Sequence, residues 1–254
     1  MQVQLAKVLE HKEIAYHIYK LTLFGEIAES MIEPGQFVNI RVGKGNEFLL
    51  RRPISICEVI PEQKVFVVIY RAEGKGTQVL TQVEVGQEVD VLGPLGQGYH
   101  LDTLNPGQTA LLVGGGIGVP PLYELSKRLN DRGIHTIHVL GFNSDKEIFY
   151  EKEFSSFGKT YISTVDGSRG DRGFVTDIIE KYQIEFEQYF ACGPFPMLKA
   201  LQEMNKDKTG YVSLEERMAC GIGACYACVC RTETNDTARI CYEGPVFKAE
   251  DIFF

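Results

Sequence analysis

The sequence predicts an α+β protein of three parts: an antiparallel β-barrel, an α/β doubly wound parallel sheet, and a small cysteine-rich domain at the C-terminus. Three observations predict this organisation. Short apolar strands separated by Gly and Pro occupy the first hundred residues, strands then alternate with helices, and five of the seven cysteines follow residue 215. The pattern changes divide the chain into residues 1–101, 102–213 and 214–254.

The barrel prediction rests on the rhythm of the first hundred residues. Short runs rich in Val, Ile and Phe are interrupted by Gly and Pro at 34–35, 43–45, 74–76 and 93–94. This spacing is typical of a small antiparallel barrel. The predicted strands are residues 15–24, 36–42, 64–70 and 88–92.

After residue 107 the pattern becomes one of alternating strands and helices. A strand over 109–113 runs into a glycine turn, Leu122, Leu125 and Leu129 then recur at helical spacing, and Gly133 suits the helix C-terminus. Short turns between such elements predict a parallel, doubly wound sheet. The remaining predicted elements are strands over 134–140, 159–165 and 188–192 and helices over 175–182 and 196–205.

Composition excludes two classes of partner. The 254 residues carry a formal net charge of −8, which argues against nucleic acid, and no stretch approaches the roughly 18 apolar residues of a membrane span. Free thiols without an apolar signal sequence predict a reducing, cytoplasmic location.

The C-terminal cysteines predict an iron–sulfur site. Cys220, Cys225, Cys228 and Cys241 form C-x4-C-x2-C-x12-C, whose opening spacing is that of plant-type [2Fe–2S] ferredoxins. The residues between them are mostly Gly and Ala, which lets one loop bring three thiolates together. Zinc is the alternative, but its knuckles usually have two C-x2-C pairs. A disulfide framework fits poorly with seven cysteines, and Cys230 is an alternative third ligand.

Two turns of the parallel sheet are candidate nucleotide contacts. Residues 114–118 (GGGIG) join a strand to a helix, where free N–H groups and glycines admit a pyrophosphate. Pro120 and Pro121 stand where the fingerprint G-x-G-x-x-G has its third glycine, so a turn without a ligand is the alternative. The C-G-P sequence at Cys192 ends a late strand, and a buried cysteine before a helix-starting proline is the competing interpretation.

The barrel holds two further candidate anion sites. Arg52 and Ser55 in the sequence RRPIS offer a guanidinium fork and a hydroxyl, with an exposed basic pair as the alternative. Residues 69–71 (IYR) end a strand, and residues 74–77 (GKGT) then begin a helix. Tyr70 offers a ring for stacking on a cofactor, although a half-buried barrel tyrosine is the alternative.

These motifs together resemble the ferredoxin–NADP reductase superfamily over essentially the whole chain. That pattern has R-x-x-S and G-x-G-T flavin segments, a G-P-L-G close, a G-G-G-I-G nicotinamide turn and a C-G-P strand end. With the cysteine pattern, the chain also resembles the electron-transfer subunits of type B dihydroorotate dehydrogenases. The resemblance implies that FAD is bound by Arg52, Pro53, Ile54, Ser55, Ile69, Tyr70, Arg71, Gly76 and Thr77. It implies NAD at Gly116, Gly118 and Cys192, and a cluster on the four cysteines.

One departure concerns the flavin ring. Many superfamily members have an aromatic residue inside R-x-x-S, where this chain has Pro53 and Ile54. The resemblance therefore indicates where the flavin phosphates bind more directly than how the ring is covered.

The cofactors imply a relay, because nicotinamide exchanges electron pairs, an iron–sulfur cluster exchanges single electrons, and a flavin converts between them. By the resemblance, a partner subunit with a TIM-barrel fold and FMN oxidises dihydroorotate to orotate in pyrimidine synthesis. Electrons then pass through the cluster and FAD to NAD⁺, and the subunits form a heterotetramer. No catalytic residue for dihydroorotate is predicted in this chain.

The choice of NAD over NADP rests on one segment. Residues 141–147 follow the second parallel strand and contain acids but no Arg to meet a 2′-phosphate. Arg169 and Arg172 lie in another loop and are the alternative contacts.

Two other functions remain open from the sequence. An electron-transfer subunit of another NAD(P)H-linked complex, of the ferredoxin transhydrogenase or sulfhydrogenase type, would carry the same cofactor sites; the compact length favours the dihydroorotate partner. A non-catalytic zinc scaffold would be colourless, whereas flavin and [2Fe–2S] absorb visible light.

Overall fold

The computed structural model describes residues 1–43, 45, 47–234 and 236–254. The predicted fold class is confirmed: a closed antiparallel barrel precedes a mostly parallel sheet, and a small C-terminal unit carries the cysteine loop. The boundaries 1–101, 102–213 and 214–254 stay predictions.

Six antiparallel strands close the barrel in the order β1-β2-β5-β4-β3-β6. The longest strand, β1, is absent from the predicted set, which consists of runs rich in Val, Ile and Phe. Strand β1 has only two Val and one Ile among its 14 residues. The predicted strand over 15–24 spans the turn between β1 and β2, where His17 has a φ of 58°. The barrel strands are β1 (Gln2–Ala15), β2 (Ile18–Phe24), β3 (Phe37–Ile40), β4 (Arg52–Ile60), β5 (Val65–Arg71) and β6 (Glu88–Leu95).

Strand β5 joins the barrel to the rest of the molecule. Its residues are buried from Val65 to Tyr70 because both faces are covered. Phe66 and Val68 pack inside the barrel, whereas Val67 and Ile69 pack into the core shared with the parallel sheet. A continuous apolar run is the pattern expected of a strand buried on both faces.

The second sheet has seven strands. Six are parallel, as the alternation of strands and helices predicts, and β15 pairs antiparallel with β12 at one edge. The strands of this sheet are β7 (Thr109–Gly115), β8 (His135–Phe142), β9 (Gly158–Thr164), β10 (Asp171–Arg172), β11 (Gln188–Cys192), β12 (Gly210–Ser213) and β15 (Val246–Lys248). Two further strands, β13 (Val229–Arg231) and β14 (Thr237–Arg239), lie outside it. The sheet order is β10-β9-β8-β7-β11-β12-β15, and β13 pairs with β14 in a separate ribbon.

Five α-helices accompany these strands in the described part of the chain. Helix α2 begins with a proline at its first position and ends before Gly133, whose φ of 75° is the left-handed conformation expected after a helix C-terminus. No helix of the described residues has the length and apolar character needed to cross a membrane. The helices are α1 (Lys75–Leu80), α2 (Pro121–Asp131), α3 (Glu151–Ser155), α4 (Val175–Lys181) and α5 (Phe195–Met204). Short 3₁₀ turns lie at Glu26–Ser30, Pro61–Gln63, Leu101–Thr103, Gly116–Gly118, Asp145–Glu147 and Ala249–Asp251.

Buried polar contacts fix the barrel against the parallel sheet. The hydroxyl of Tyr99 donates to the carbonyl of Ala191 at 3.2 Å. Glu124 on α2 accepts from the backbone N–H of Val59 at 3.1 Å and from Nε of Arg128 at 2.6 Å. Because these groups are largely buried, losing a partner would leave an unsatisfied polar atom, which makes the relative position of the two sheets specific.

Candidate functional site

The two anion segments of the barrel meet in the structure. Arg52 begins β4 and Gly76 lies in the first turn of α1, and a Cβ at Gly76 would lie 2.5 Å from Nη2 of Arg52. The guanidinium occupies the space that a side chain at position 76 would need, so the site requires glycine there. Thr77 accepts from the N–H of Gly74 at 3.1 Å and fixes the start of the helix. An arginine fork beside a helix start is suited to a phosphate.

The neighbours of Arg52 keep its guanidinium at this edge of the barrel. The guanidinium lies 5.4 Å from the ring centroid of Phe48 and donates to the carbonyl of Leu50. Of the following residues, Ile54 is buried in the barrel core, while Pro53 and Ser55 are half-buried. The predicted segment therefore offers one charged and one hydroxyl group.

Tyr70 lies inside the barrel. Its hydroxyl lies 2.8 Å from Nε2 of His11, and its ring stacks on Tyr19 with centroids 5.7 Å apart. Burial raises the pKa of Tyr70 well above its ordinary value. Only 3% of Tyr70 is exposed, so it is more deeply buried than the half-buried barrel tyrosine that the sequence offers as the alternative. Its neighbour Ile69 is also buried.

Arg71 leaves the barrel and reaches the glycine turn of the parallel sheet. Its Nη2 pairs with Glu147 at 3.2 Å, and Nη1 approaches Glu73 at 3.4 Å. A Cβ at Gly116 would lie 3.2 Å from Nη2 of Arg71. The last residue of the predicted flavin segment thus touches the predicted nicotinamide turn.

A cavity of about 520 Å³ opens at the carboxyl ends of the parallel strands. This edge is where ligands bind in doubly wound sheets. The wall is mainly apolar, as expected for a cofactor site. It is lined by Arg71, Gly115, Gly116, Ile117, Gly141, Phe142, Asn143, Ser163, Val165, Gly173, Phe174, Val175, Thr176, Gly193, Pro194, Pro196, Met197, Ala200 and Glu215.

The three residues predicted for NAD take different places around this cavity. Gly116 lines it with a φ of 54°. Gly118 packs against the chain from Cys192 to Gly193, and a Cβ there would lie 2.6 Å from the N of Gly193. Cys192 is fully buried behind the wall, and burial raises the pKa of its thiol. The lining residue of the C-G-P turn is instead Gly193.

Ser163 and Glu215 are polar cavity residues that the sequence did not single out. Ser163 lies near the carboxyl end of β9, and its buried Oγ has no hydrogen-bond partner within the described part of the chain. Glu215 follows β12 and lines the open cavity. The surrounding protein desolvates its carboxyl and so raises its pKa, while the charge of Arg71 acts to lower it. Neither residue belongs to a recognisable motif, so nothing in the sequence signals either of them.

The cysteine loop turns on left-handed backbone positions at Gly221, Gly223 and Tyr226, with φ values of 68°, 82° and 53°. Amide N–H groups point at the sulfur atoms. Ile222 and Ala224 donate to Sγ of Cys220 at 3.4 and 3.3 Å. Such N–H groups stabilise thiolates, the form that binds iron.

The four predicted ligand thiols lie in two pairs. Cys220 contacts Cys225, and Cys228 contacts Cys241. Desolvation acts to raise the pKa of Cys220, but the backbone donors and Cys225 together lower it to about 6. Desolvation and Cys228 raise the pKa of Cys241 to about 12. Over the described ranges, no group of three or more His, Cys, Asp or Glu is arranged to hold one metal ion.

Cys230 points to a different partner. It lies in β13, and its Sγ donates to the carbonyl of Ala238 across the ribbon at 3.6 Å. Burial raises the pKa of its thiol. The geometry therefore favours Cys228 over Cys230 as a ligand.

One barrel residue links the flavin segment to the cysteine loop. Asn39 pairs with Pro53 in the β3–β4 register. It is buried, and a Cβ at Gly221 would collide with its Nδ2. Its Oδ1 has no partner among the residues described. The predicted flavin segment therefore lies between the cavity, which Arg71 reaches, and the cysteine loop, which Asn39 touches.

Comparison with known proteins gives consistent matches. Residues 215–253 match the iron–sulfur cluster binding domain of dihydroorotate dehydrogenase B, and residues 112–203 match the oxidoreductase NAD-binding domain. The chain is 54% identical over 258 residues to the dihydroorotate dehydrogenase B (NAD(+)), electron transfer subunit, of Fusobacterium nucleatum, with 99% of each chain covered. It is 53% identical over 247 residues to the protein of that name from Bacillus pumilus, with 96% of each covered.

A solved structure matches at a lower identity. It comes from work on the NADH-dependent reduced ferredoxin–NADP oxidoreductase, and its chain superposes with a TM-score of 0.88 at 29% identity. The match covers 98% of this chain and 90% of that one.

Proposed function

This chain belongs to the family of dihydroorotate dehydrogenase B (NAD(+)) electron transfer subunits, and from that premise we propose how its sites work together. It passes electrons from dihydroorotate oxidation on a partner subunit to NAD⁺, in pyrimidine biosynthesis. Its cofactors are FAD, a [2Fe–2S] cluster and NAD. When bound, the flavin supplies the conversion between electron pairs and single electrons.

The observation that carries this proposal is the contact of three sites through two side chains. Arg71 extends from the flavin segment to Gly116 of the nucleotide cavity. Asn39 lies beside Pro53 and against Gly221 of the cysteine loop. A relay needs its electron carriers close together, and this arrangement supports one that runs from the cysteine loop through the barrel edge to the cavity.

For FAD, the residues present fit an anionic cofactor with an aromatic ring. Arg52 supplies a guanidinium, and Gly76 leaves room beside it. The orphan Oδ1 of Asn39, buried next to Pro53, is a polar atom suited to a bound group. The residues that would hold FAD are Arg52, Pro53, Ile54, Ser55, Ile69, Tyr70, Arg71, Gly76 and Thr77.

For the cluster, Cys220 with Cys225 and Cys228 with Cys241 would each hold one iron. Two thiol pairs match the ligand demand of a [2Fe–2S] group, which takes four cysteines for two irons. The N–H donors around Cys220 support its thiolate form at neutral pH.

For NAD, Gly116 and the unpaired hydroxyl of Ser163 would contact the nucleotide in the cavity. Gly118 and Cys192 would shape the turn from behind the cavity wall, because Gly118 packs on the backbone of Cys192.

The charges near the second parallel strand support NAD over NADP. Arg169, an alternative 2′-phosphate contact, is engaged by Glu151 at 2.5 Å and Asp145 at 3.5 Å. Asn143 also donates to Glu147, so carboxylates surround this edge of the site. A 2′-phosphate would have to displace these acids, whereas a 2′-hydroxyl would not.

The cysteine loop is also the proposed docking site of the partner. Cys225 is exposed, and Ile222, Tyr226 and Tyr242 around it are 40%, 64% and 54% exposed. Apolar patches of this kind mark protein interfaces. The partner is an FMN-containing catalytic subunit with a TIM-barrel fold, and the two subunits form a heterotetramer in the cytoplasm. None of the seven cysteines, all of which lie within the described residues, is in a disulfide, which suits a reducing compartment.

The test is co-expression with the FMN subunit, followed by measurement of orotate and NADH. We expect a co-purifying complex that forms orotate with NAD⁺ and that neither subunit alone reproduces. A complex without NAD⁺-linked orotate formation contradicts the proposal.

A second candidate is a subunit of a ferredoxin-linked NAD(P)H complex, favoured by the fold match to the ferredoxin–NADP oxidoreductase chain. It predicts that the purified protein reduces NADP⁺ with ferredoxin as donor. Reduction of NAD⁺ only by dihydroorotate, through the partner, would exclude it.

A further inference from the structure

Arg239 makes contacts on three sides of the cysteine loop. It lies in β14, and its guanidinium sits 5.3 Å from the ring centroid of Tyr226 and 4.7 Å from that of Tyr242. Tyr226 follows Cys225 in the chain and Tyr242 follows Cys241. The arginine therefore lies between two rings of the segments that carry the ligand cysteines. Attraction between its positive charge and the two ring faces stabilises this position.

The same guanidinium controls one peptide unit of the loop. Its Nη1 donates to the carbonyl oxygen of Gly223. The N–H of the same peptide, that of Ala224, donates to Sγ of Cys220 at 3.3 Å. A trans peptide is planar, with its C=O and N–H pointing in opposite directions. Fixing the oxygen at Arg239 therefore fixes the direction of the N–H toward the sulfur.

The charge of Arg239 is balanced locally. Nε lies 3.1 Å from both carboxylate oxygens of Glu243, and Glu243 also accepts from the backbone N–H of Arg239 at 2.7 Å. Because a carboxylate accompanies the guanidinium, the net charge added near the loop is about zero. What remains is the orientation of the peptide.

We propose that Arg239 is a positioning residue for the [2Fe–2S] cluster: by holding the Gly223 carbonyl it aims the Ala224 N–H at Cys220 and thereby raises the reduction potential. Hydrogen bonds to ligand sulfurs favour the reduced cluster, since it carries the extra negative charge. This inference rests on the proposed cluster ligands.

The test compares charge-matched proteins. Arg239→Met with Glu243→Gln removes the guanidinium and its counter-charge together, so a Coulomb effect on the cluster is minimised. Lys248→Met with Glu250→Gln is the control, since it removes an exposed ion pair, 3.8 Å apart, between the end of β15 and the 3₁₀ turn that follows. The readouts are the midpoint potential from an EPR-monitored redox titration of the holoprotein, and its iron and FAD contents.

We expect the Arg239 double variant to keep its iron and to shift the reduction equilibrium about tenfold toward the oxidised cluster, the scale of one charge-assisted hydrogen bond. That is about 59 mV for one electron. The control should remain within about twofold of the unmodified protein. A double variant with full iron and an unshifted potential overturns the inference.

If the double variant purifies without iron, Arg239→Lys decides, because lysine keeps a donor for the Gly223 carbonyl. Restored iron supports the inference. Iron missing from both variants overturns it, since the loop would then need the arginine for packing alone. Absence of a cluster from the unmodified protein would instead refute the proposed function.

Discussion

Gly76→Ala tests the flavin phosphate site through a single methyl group. The new Cβ would lie 2.5 Å from Nη2 and 2.6 Å from Cζ of Arg52, whereas such atoms rest about 3.5 Å or more apart. The guanidinium must therefore retreat by about 1 Å. A retreat of that size breaks a hydrogen bond to a phosphate, and a bond to a charged group contributes about 1.5–3 kcal/mol.

The expected result is FAD affinity lowered by about 10- to 150-fold, since about 1.4 kcal/mol corresponds to a factor of ten. The stability of the folded protein should not decrease, because the displaced group is the end of a flexible side chain. In a helix, Ala is also more favourable than Gly by about 0.5–1 kcal/mol. The assay is titration of FAD into flavin-depleted protein, followed by quenching of flavin fluorescence, beside thermal unfolding without FAD.

Gly74→Ala is the matched control. It lies at the start of the same helix, and its Cβ would meet only Oγ1 of Thr77, at 3.7 Å. We expect FAD affinity within about threefold of the unmodified protein, because this distance is an ordinary van der Waals contact. A Gly76→Ala protein that binds FAD as tightly as the control would refute the phosphate role of Arg52.

Three further predictions concern the other sites. Ser163→Ala should weaken NADH binding about fivefold or more in a direct titration without lowering Tm, because it removes an unpaired buried hydroxyl; unchanged affinity contradicts a nucleotide contact. Burial lowers the pKa of His138 to about 3. Below pH 6.5 the unfolded chain therefore binds a proton at this histidine while the folded chain does not, and the free energy of unfolding falls as pH drops. In urea unfolding at pH 5.5, this costs about 1.4 kcal/mol relative to neutral pH, and His138→Gln should lose that dependence; an equal pH dependence in both proteins refutes the assignment. Cys225→Ser should lose iron yet still oxidise NADH with an artificial acceptor, whereas Cys230→Ser should keep its iron; loss in the second protein would make Cys230 a ligand.

Most of the fold can be predicted from patterns among neighbouring residues. The strand over 109–113 before a glycine turn, the Leu122 to Leu129 spacing and the Gly133 terminus are features of neighbouring residues, and each appears in the structure. Strand β1 and the return of β15 to the parallel sheet were not predictable in this way. Besides its hairpin with β2, strand β1 pairs with the distant β6, and β15 pairs with β12. Pairing between segments far apart in the chain leaves no periodic signal.

The candidate site shows the same division. The cysteines and the glycine turn were visible because chemistry fixes residue type and spacing. The contact of Arg52 with Gly76, the link from Asn39 to the cysteine loop and the burial of Cys192 depend on tertiary packing. A sequence motif names the residues near a cofactor, but packing decides which of them face it.

The central claim is that one chain joins a nicotinamide site to an iron–sulfur cluster through a flavin. Anaerobic titration of the purified protein with NADH, followed by visible absorbance and EPR, tests it most directly. The account predicts bleaching of the flavin together with the EPR signal of a reduced [2Fe–2S] cluster. Flavin bleaching without that signal, in a protein that contains iron, would contradict it.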